Sequence, residues 1–118
     1  MLARRSSARG QAAALAHSAP VFAALGDQTR LRLVARLGSE GPLSIARLTD
    51  RTDVTRQAVT KHLRVLAGAG LARGVRQGRE HLWQFEPAPL DEARRSLERI
   101  SQRWDEALGR LKAAVEED

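Results

Sequence analysis

The segment from Thr55 to Leu66 constrains the fold most, because as a helix it has two chemically different sides. At about 100° of rotation per residue, Val59, Leu63 and Leu66 cluster within roughly 60° and predict a buried face. The opposite side carries an amide, a hydroxyl and two cations, and no carboxylate: Gln57, Thr60, Lys61 and Arg64. Amide and guanidinium groups can read base edges in a major groove, and cations can meet phosphates.

The start of this helix is also specified. Thr55 can act as its N-cap, since its hydroxyl can accept an otherwise unpaired amide hydrogen of the first turn. Ser44 can cap a shorter helix upstream in the same way. Helices at about 44–51 and 55–67, separated by residues 52–54, have helix-turn-helix spacing, in which the second helix enters the groove.

Positive charge is concentrated in and around this unit. Residues 51–79 hold seven basic residues and one acid, which accounts for the whole formal net charge of +6. Residues 89–118 hold six basic and eight acidic residues. A localised basic block predicts a polyanionic partner, and the alternative interpretation is a solvated charged face.

Composition narrows the class of protein. A chain of 118 residues with 42% hydrophobic content predicts one globular domain with one core. No apolar run approaches the roughly 18 residues that span a bilayer. The sequence has no cysteine, which excludes disulfides, thiolate metal sites and a cysteine nucleophile, and fits a cytoplasmic location.

The region before the helix-turn-helix predicts an arm and two helices. Residues 1–14 are basic and acid-free, and we expect a disordered or fraying arm that can touch DNA phosphates. A short helix is expected over 18–26, capped by Ser18, and a second over 28–37, capped by Asp27. The predicted apolar stripe of the second helix consists of Leu31, Val34 and Leu37. Its arginines are expected to face outward: Arg30, Arg32 and Arg36.

A β-hairpin is predicted after the second helix of the motif. Residues 71–76 and 80–85 are β-prone runs about Gln77-Gly78, and residue 43 can add one strand residue to this sheet. Alternation places His81, Trp83 and Phe85 on one face, where the two aromatic residues are expected to pack on the helices. Arg76, Gln77 and Arg79 crowd the tip. Such a tip suits a phosphate backbone or a minor groove, and the alternative is a merely soluble turn.

The last element predicts a long helix over 90–116 with apolar residues at a seven-residue spacing. Its apolar stripe exceeds what a small domain covers easily, so we expect a two-fold homodimer. The residues predicted for the dimer interface are Leu90, Leu97, Ile100, Trp104, Leu108 and Leu111. The alternative is packing within the chain against the first helix through Val21, Phe22 and Leu25, and the two arrangements are compatible.

Over about residues 20–116 the sequence resembles the ArsR family of bacterial transcriptional repressors. The resemblance is carried by Ala24–Leu33, Gln57–Leu71 and Gly78–Trp83. It implies a mainly α winged helix-turn-helix with a small β-hairpin, dimeric through terminal helices, that binds a near-palindromic operator and blocks transcription. The expected domains are a basic arm at 1–14, a DNA-binding domain at 15–88 and a dimerisation helix at 89–118. The DNA-binding residues predicted from the helix, the hairpin and the resemblance are Arg56, Gln57, Thr60, Lys61, Arg64, Arg76, Gln77 and Arg79.

The sequence departs from the metal-sensing members of that family. Residues 43–48 contain no thiol, residues 90–116 contain no histidine, and Asp91-Glu-Ala93 lacks the ligand two positions on. We therefore expect no metal site, no metal inducer and no cofactor, although an unidentified inducer or protein partner stays open. His62 is expected to be a packed, hydrogen-bonded side chain whose protonation can make binding pH-sensitive.

Three classes of function compete. The leading hypothesis is a sequence-specific, DNA-binding repressor, and the alternative is a winged-helix interaction module whose basic face binds an acidic protein. An enzyme is not expected, because the sequence shows no Ser/His/Asp set, phosphate loop or ligand cluster. The carboxylates of the last helix are expected to be solvated ion-pair partners: Asp91, Glu92, Asp105 and Glu106.

Overall fold

A computed structural model describes residues 2–117, and the side chains of residues 9–117. This part of the chain forms six helices and a two-stranded hairpin. The elements are α1 (Leu2–His17), α2 (Ala19–Leu25), α3 (Gln28–Glu40), α4 (Ile45–Thr49), α5 (Arg56–Gly68), β1 (Ala72–Gln77), β2 (Glu80–Phe85) and α6 (Ala88–Glu116). The predicted fold class, mainly α with a small hairpin, is confirmed.

Helix α1 corrects the expectation of a disordered arm at residues 1–14, of which Met1 lies outside the described residues. Five alanines between positions 8 and 16 favour the helix, because alanine has the highest helix propensity. Packing against α6 adds tertiary support, and the Arg103 guanidinium donates a hydrogen bond of 2.8 Å to the side-chain oxygen of Gln11. Low apolar content alone therefore did not decide the state of this segment.

Helix α3 begins as predicted and ends later. The Asp27 side chain accepts a hydrogen bond from the backbone N–H of Arg30, so Asp27 is the N-cap. The helix runs through Gly38 to Glu40 and ends at Gly41, whose φ of 84° favours glycine. The predicted stripe is wrong at Leu31, which is 50% exposed, while Leu33 is buried.

The helix-turn-helix has the predicted caps. Ser44 Oγ accepts from the Arg47 N–H at 3.2 Å, and Thr55 Oγ1 accepts from the Ala58 N–H at 3.1 Å. Helix α5 ends in a Schellman motif, in which the N–H groups of Leu71 and Gly70 bond the carbonyls of residues 66 and 67. These caps fix both ends of α5 and direct the chain into β1.

The hairpin forms the wing. Gln77 pairs with Glu80, which leaves Gly78 and Arg79 as a two-residue loop. Gly78 has φ 64°, the conformation that glycine adopts at the first central residue of a type II′ turn. Leu43 exchanges two backbone hydrogen bonds with Trp83, at 3.0 and 2.8 Å, so the predicted third strand residue is confirmed.

One core joins these elements. Its largest fully buried side chains come from α3, α4, α5 and the entry to β1: Leu33, Leu48, Val59, Leu63, Leu66 and Leu71. Trp83 is buried and Phe85 half-buried against this core, as predicted, while His81 is exposed. Helix α6 joins the core through Ala93, and its 29 residues extend for about 43 Å.

Candidate nucleic-acid interface

Helix α5 turns one side into the core and the other to solvent. Val59, Leu63 and Leu66 have no exposed surface. The side chains predicted to read DNA lie on the outer side and line one continuous open depression: Arg56, Gln57, Thr60, Lys61 and Arg64. We call these five residues the reading surface. All are exposed except Thr60, which is half-buried.

Thr60 has a restricted hydrogen-bonding capacity. Its hydroxyl donates to the Arg56 carbonyl at 2.8 Å, one turn earlier in the same helix. Since a hydroxyl has one proton and two acceptor positions, the Thr60 hydroxyl is left to act as an acceptor toward a further partner. Gln57 differs, because its amide offers both donors and an acceptor.

The cations on this side of the molecule have no carboxylate partner among the described side chains. Among the side chains of residues 9–117, no ion pair involves the cations of the reading surface or of the wing tip: Arg56, Lys61, Arg64, Arg76 and Arg79. Arg73, at the base of the wing, is different, because its Nε lies 3.0 Å from a carboxylate oxygen of Glu86. The reading surface and wing tip therefore present uncompensated positive charge, which suits a polyanion.

The wing tip presents its predicted residues to solvent. Arg76, Gln77 and Arg79 are all exposed. The turn at Gly78 leaves Arg79 inside the two-residue loop, while Arg76 pairs with His81 one step below it. The hairpin thus holds two guanidinium groups at its outer end.

His62 lies behind the reading surface, on the flank of α5 that meets α2 and α3. Arg30 Nη1 donates to His62 Nδ1 at 3.2 Å, and Asp27 Oδ2 lies 3.8 Å from the same nitrogen. Arg30 also bonds the carbonyls of Ala24 and Ala23 at the end of α2. The expectation of a hydrogen-bonded His62 is confirmed, and the expectation that Arg30 faces outward is wrong.

The carboxyl group of Asp27, beside Arg30 and His62, has a lowered pKa in the folded protein. The hydrogen bond from the Arg30 backbone N–H lowers the pKa of the Asp27 carboxyl, and the charge of Arg30 lowers it further. Burial acts in the opposite direction. The folded protein therefore favours the ionised carboxylate at the start of α3.

Val65 is a surface residue that the sequence pattern did not single out. It is 42% exposed on α5. It follows Lys61 by four residues and so lies about 40° around the helix from it, at the edge of the reading surface. An apolar group at this edge suits contact with a thymine methyl group. The helical period, rather than the residue type, places Val65 at this edge.

The apolar seam of α6 is exposed beyond its first turns. The exposed fractions of its large side chains are 48% for Leu97, 64% for Trp104, 56% for Leu108 and 62% for Leu111. Ile100 is half-buried, and it lines a groove with Arg103, Trp104, Ala107 and Arg110. Leu90 differs from the rest of the predicted dimer interface, because it packs partly against the core of its own chain.

Some of the charged side chains on α6 are paired along the helix. Arg94 pairs with Asp91 and Glu98, Arg95 pairs with Asp91, and Lys112 lies 4.0 Å from Glu116. The hydrogen bond from Arg94 and the charge of Arg95 lower the pKa of the Asp91 carboxyl. These contacts agree with the expectation of ion-pair partners for Asp91.

Neither a metal centre nor a membrane span competes with this interface in the part of the chain that the structure describes. Within those residues, no three His, Asp or Glu side chains come together as a metal-binding group. No helix in residues 2–117 combines the length and apolar content required to cross a bilayer.

Comparisons with known proteins agree with this geometry. A family model described as a helix-turn-helix domain matches residues 25–75. The HTH-type transcriptional regulator Rv2034 of Mycobacterium tuberculosis is 38% identical over 85 residues, which cover 72% of this chain and 76% of that protein. The uncharacterized HTH-type transcriptional regulator YuzN of Bacillus subtilis is 38% identical over 76 residues, which cover 59% of this chain and 83% of that protein.

A solved structure extends the likeness over most of the chain. The ArsR-like transcriptional regulator from Rhodococcus sp. RHA1 is 40% identical, with a TM-score of 0.73, over 83% of this chain and 92% of that one. These relatives are regulators of transcription, not enzymes. On this similarity and on its winged helix-turn-helix, the chain belongs to the ArsR family of DNA-binding transcriptional regulators.

Proposed function

We propose that the protein is a repressor that binds a near-palindromic operator as a homodimer and responds to no metal inducer. One observation carries this proposal. The side of α5 that faces solvent contains no carboxylate, and its cations have no ion-pair partner among the described side chains. A surface of this kind has its binding energy available for phosphates and base edges.

In the proposed complex, α5 lies in the major groove. Gln57 and Arg64 read base edges, since an amide suits adenine and a guanidinium suits guanine. Lys61 and Arg56 meet phosphates. Arg76, Gln77 and Arg79 follow the wing to the adjacent backbone or minor groove. The arm at residues 1–14 is proposed to touch DNA phosphates only as the start of α1, since residues 2–14 are helical.

The proposal of a homodimer is supported by the apolar stripe of α6, which is exposed to solvent. Trp104, Leu108 and Leu111 are each more than half exposed, and large apolar side chains in one stripe mark an interaction surface. A second copy of α6 presents the same stripe and satisfies the two-fold symmetry of such an interface. Two reading helices related by a two-fold axis require two half-sites with opposite orientation, about one helical turn of DNA apart.

Repression follows from occupancy in this proposal, because a dimer bound across a promoter excludes polymerase. The chain has no cysteine, and its described residues hold no cluster of metal ligands. The proposed signal is therefore either the amount of protein or a ligand other than a metal.

Enrichment of bound duplexes from a random-sequence pool by the full-length protein tests this proposal. We expect an enriched motif with two inverted half-sites, and an affinity whose logarithm falls with log salt by about 0.9 per phosphate contact. No retardation of any duplex at micromolar protein and low salt would contradict the proposal and favour the acidic-protein partner.

Two variants separate contacts to base edges from contacts to phosphates. Gln57→Ala should weaken binding to the enriched duplex by about 1–3 kcal/mol if its contact is bidentate, with little effect on a shuffled duplex. Arg76→Ala with Arg79→Ala should weaken binding to both duplexes and lower the salt slope by about 0.9 for each phosphate that is no longer neutralised. An equal loss of affinity on both duplexes for Gln57→Ala would show that Gln57 does not contact a base edge.

A further inference from the structure

We infer that Arg30 and His62 form a positioning pair that sets the rotation of α5 about its axis and thereby the sequence preference of the reading surface. This inference rests on the proposed function, because it assigns to two residues outside the interface a role in DNA discrimination. Neither residue belongs to the reading surface or to the wing tip.

The geometry links three helices through one side chain. Arg30 lies in the first turn of α3, which is anchored by the Asp27 cap. Its Nε and Nη2 donate to the carbonyls of Ala24 and Ala23, which are among the last carbonyls of α2. The Ala23 carbonyl also accepts from the backbone N–H of Gly26. Its Nη1 donates to His62 Nδ1 at 3.2 Å. The planar guanidinium is thus fixed by two contacts before it reaches α5.

The direction of this hydrogen bond fixes the histidine tautomer. Arginine offers donors and no acceptor, so His62 Nδ1 must be the acceptor and the ring proton must be on Nε2. Asp27 Oδ2, at 3.8 Å, is too far from Nδ1 for a hydrogen bond. Helix α2, whose carbonyls hold Arg30, contains no titratable side chain.

A hydrogen bond restricts the rotation of α5 about its axis more sharply than apolar contacts do. Val59, Leu63 and Leu66 hold the helix to the core through apolar burial, which is non-directional. A hydrogen bond has a preferred direction and a narrow range of distance. His62 is next to Lys61 in sequence and lies about 100° around the helix from it, so it is placed to act as a stop against rotation.

The expected displacement is large enough to matter. A helix with its side chains is about 10–12 Å in diameter, so a rotation of about 10° moves an outer atom by about 1 Å. Hydrogen bonds to base edges tolerate only about 0.5 Å between their short and long limits. Contacts to phosphates survive such a shift better, because charge attraction varies slowly with distance. Loss of the pair should therefore reduce discrimination more than total affinity.

The experiment compares three substitutions of His62. Each full-length variant is titrated at fixed salt with the duplex that the wild-type protein enriches and with a shuffled duplex of equal length and composition. His62→Asn keeps an acceptor near the position of Nδ1, whereas His62→Leu has none and His62→Gln places its amide farther out. The affinity for the enriched duplex divided by the affinity for the shuffled duplex is the discrimination ratio. We expect this ratio to fall about tenfold in the Leu and Gln variants and to be largely retained in the Asn variant.

A double-mutant cycle between Arg30 and His62 tests the pair independently. Arg30→Lys keeps the charge, but one ammonium group cannot hold both α2 carbonyls and His62 in a planar fork. We expect Arg30→Lys to lower the ratio, and the combination with His62→Leu to lower it no further. Val34→Ala, in the half-buried part of α3, is the control for loss of stability without loss of the pair.

The outcomes separate this inference from the proposed function. An unchanged ratio in His62→Leu, or an equal fall in the Asn and Leu variants, would overturn the positioning role while the wild-type preference stands. A wild-type protein that does not distinguish the two duplexes would instead overturn the proposed function. Additive effects in the double-mutant cycle would show that Arg30 and His62 act separately and would overturn the pair.

Discussion

Helices α5 and α6 are both amphipathic, and the protein uses them in opposite ways. In α5 the apolar side is fully covered by the chain itself, and the polar side is left to solvent. In α6 the apolar side is fully covered only near its start, at Ala93, whereas Trp104 and Leu111 are 64% and 62% exposed. The cations of α5 have no ion-pair partner among the described side chains, whereas Arg94, Arg95 and Lys112 of α6 are paired with carboxylates of their own helix.

The comparison shows that the uncovered side of a helix indicates its partner. A side with unpaired cations and no acid matches a polyanion, because charge attraction is not already satisfied within the protein. A side with large exposed apolar groups matches another apolar surface. The proposed function therefore assigns one surface of the chain to nucleic acid and a different one to a second copy of the protein.

The largest expected effect is on α6. Trp104→Glu should convert the proposed dimer into a monomer, because a charge replaces a large apolar group in both copies of the interface. Each buried large side chain contributes about 1.5–3 kcal/mol, so the dimer dissociation constant should rise about a hundredfold or more. Sedimentation velocity measures this change. Gln102→Glu, on the opposite side of α6, is the matched control, and a dimeric Trp104→Glu variant would contradict the assignment of the seam.

The same leucine deletion should have unequal effects on the two helices. Leu63→Ala should lower the free energy of unfolding by about 2–5 kcal/mol, since Leu63 is fully buried. Leu111→Ala should change it by less than about 0.5 kcal/mol when both are measured by urea denaturation in the monomeric Trp104→Glu background. A similar loss of stability at both positions would mean that α6 packs within its own subunit.

A smaller effect separates the two threonines of α5. Thr55→Ala removes the N-cap and should lower the free energy of unfolding by about 1 kcal/mol. Thr60→Ala removes only a hydroxyl bonded to its own helix, and alanine has the higher helix propensity, so stability should not fall. Thermal or urea unfolding of both variants measures the difference. If Thr60→Ala were the more destabilising change, Thr60 would be a structural residue and its place on the reading surface would be in doubt.

The smallest expected effect is on pH dependence. The pKa of Asp27 is lowered in the folded protein, chiefly by the Arg30 backbone N–H, so ionised Asp27 stabilises the fold above the ordinary pKa of aspartate. That contribution is lost as the pH falls through the lowered pKa. Asp27→Asn still caps the helix but does not titrate, so its unfolding free energy should fall less between pH 6 and pH 3, a window that brackets the ordinary aspartate pKa of about 3.9.

Urea denaturation across this range measures the comparison. Glu40, whose pKa is also lowered, by Arg36, belongs to the far end of α3 and serves as a control through Glu40→Gln. Identical acid profiles for wild type and Asp27→Asn would show that Asp27 contributes nothing through its charge.

Much of the fold could be predicted, because the signals are local. The caps at Asp27, Ser44 and Thr55 and the glycines at 41 and 78 act within a few residues. The two sides of α5 follow from the helical period alone, which is why its buried residues match the prediction. The roles in DNA binding and dimerisation assigned to those surfaces stay predictions.

Some errors came from choosing the wrong side of a correctly placed helix. In α3 the period allows a stripe through Leu31, Val34 and Leu37 or one through Leu33, Val34 and Leu37. Only the second is buried, and it puts Arg30 about 60° from Leu33, on the inward side. The charge of Arg30 predicted a solvent-exposed side chain, but the last carbonyls of α2 and the Nδ1 of His62 supply partners that a sequence does not display.

By itself, the sequence determined where most helices begin and end and which residues share a face, because hydrogen-bonded caps and a 3.6-residue period are properties of nearby residues. Only the tertiary structure decided that α1 is ordered against α6, that Arg30 turns inward to His62, and that the seam of α6 stays bare beyond its first turns. These outcomes depend on contacts between segments far apart in the chain, whose distances no local pattern specifies.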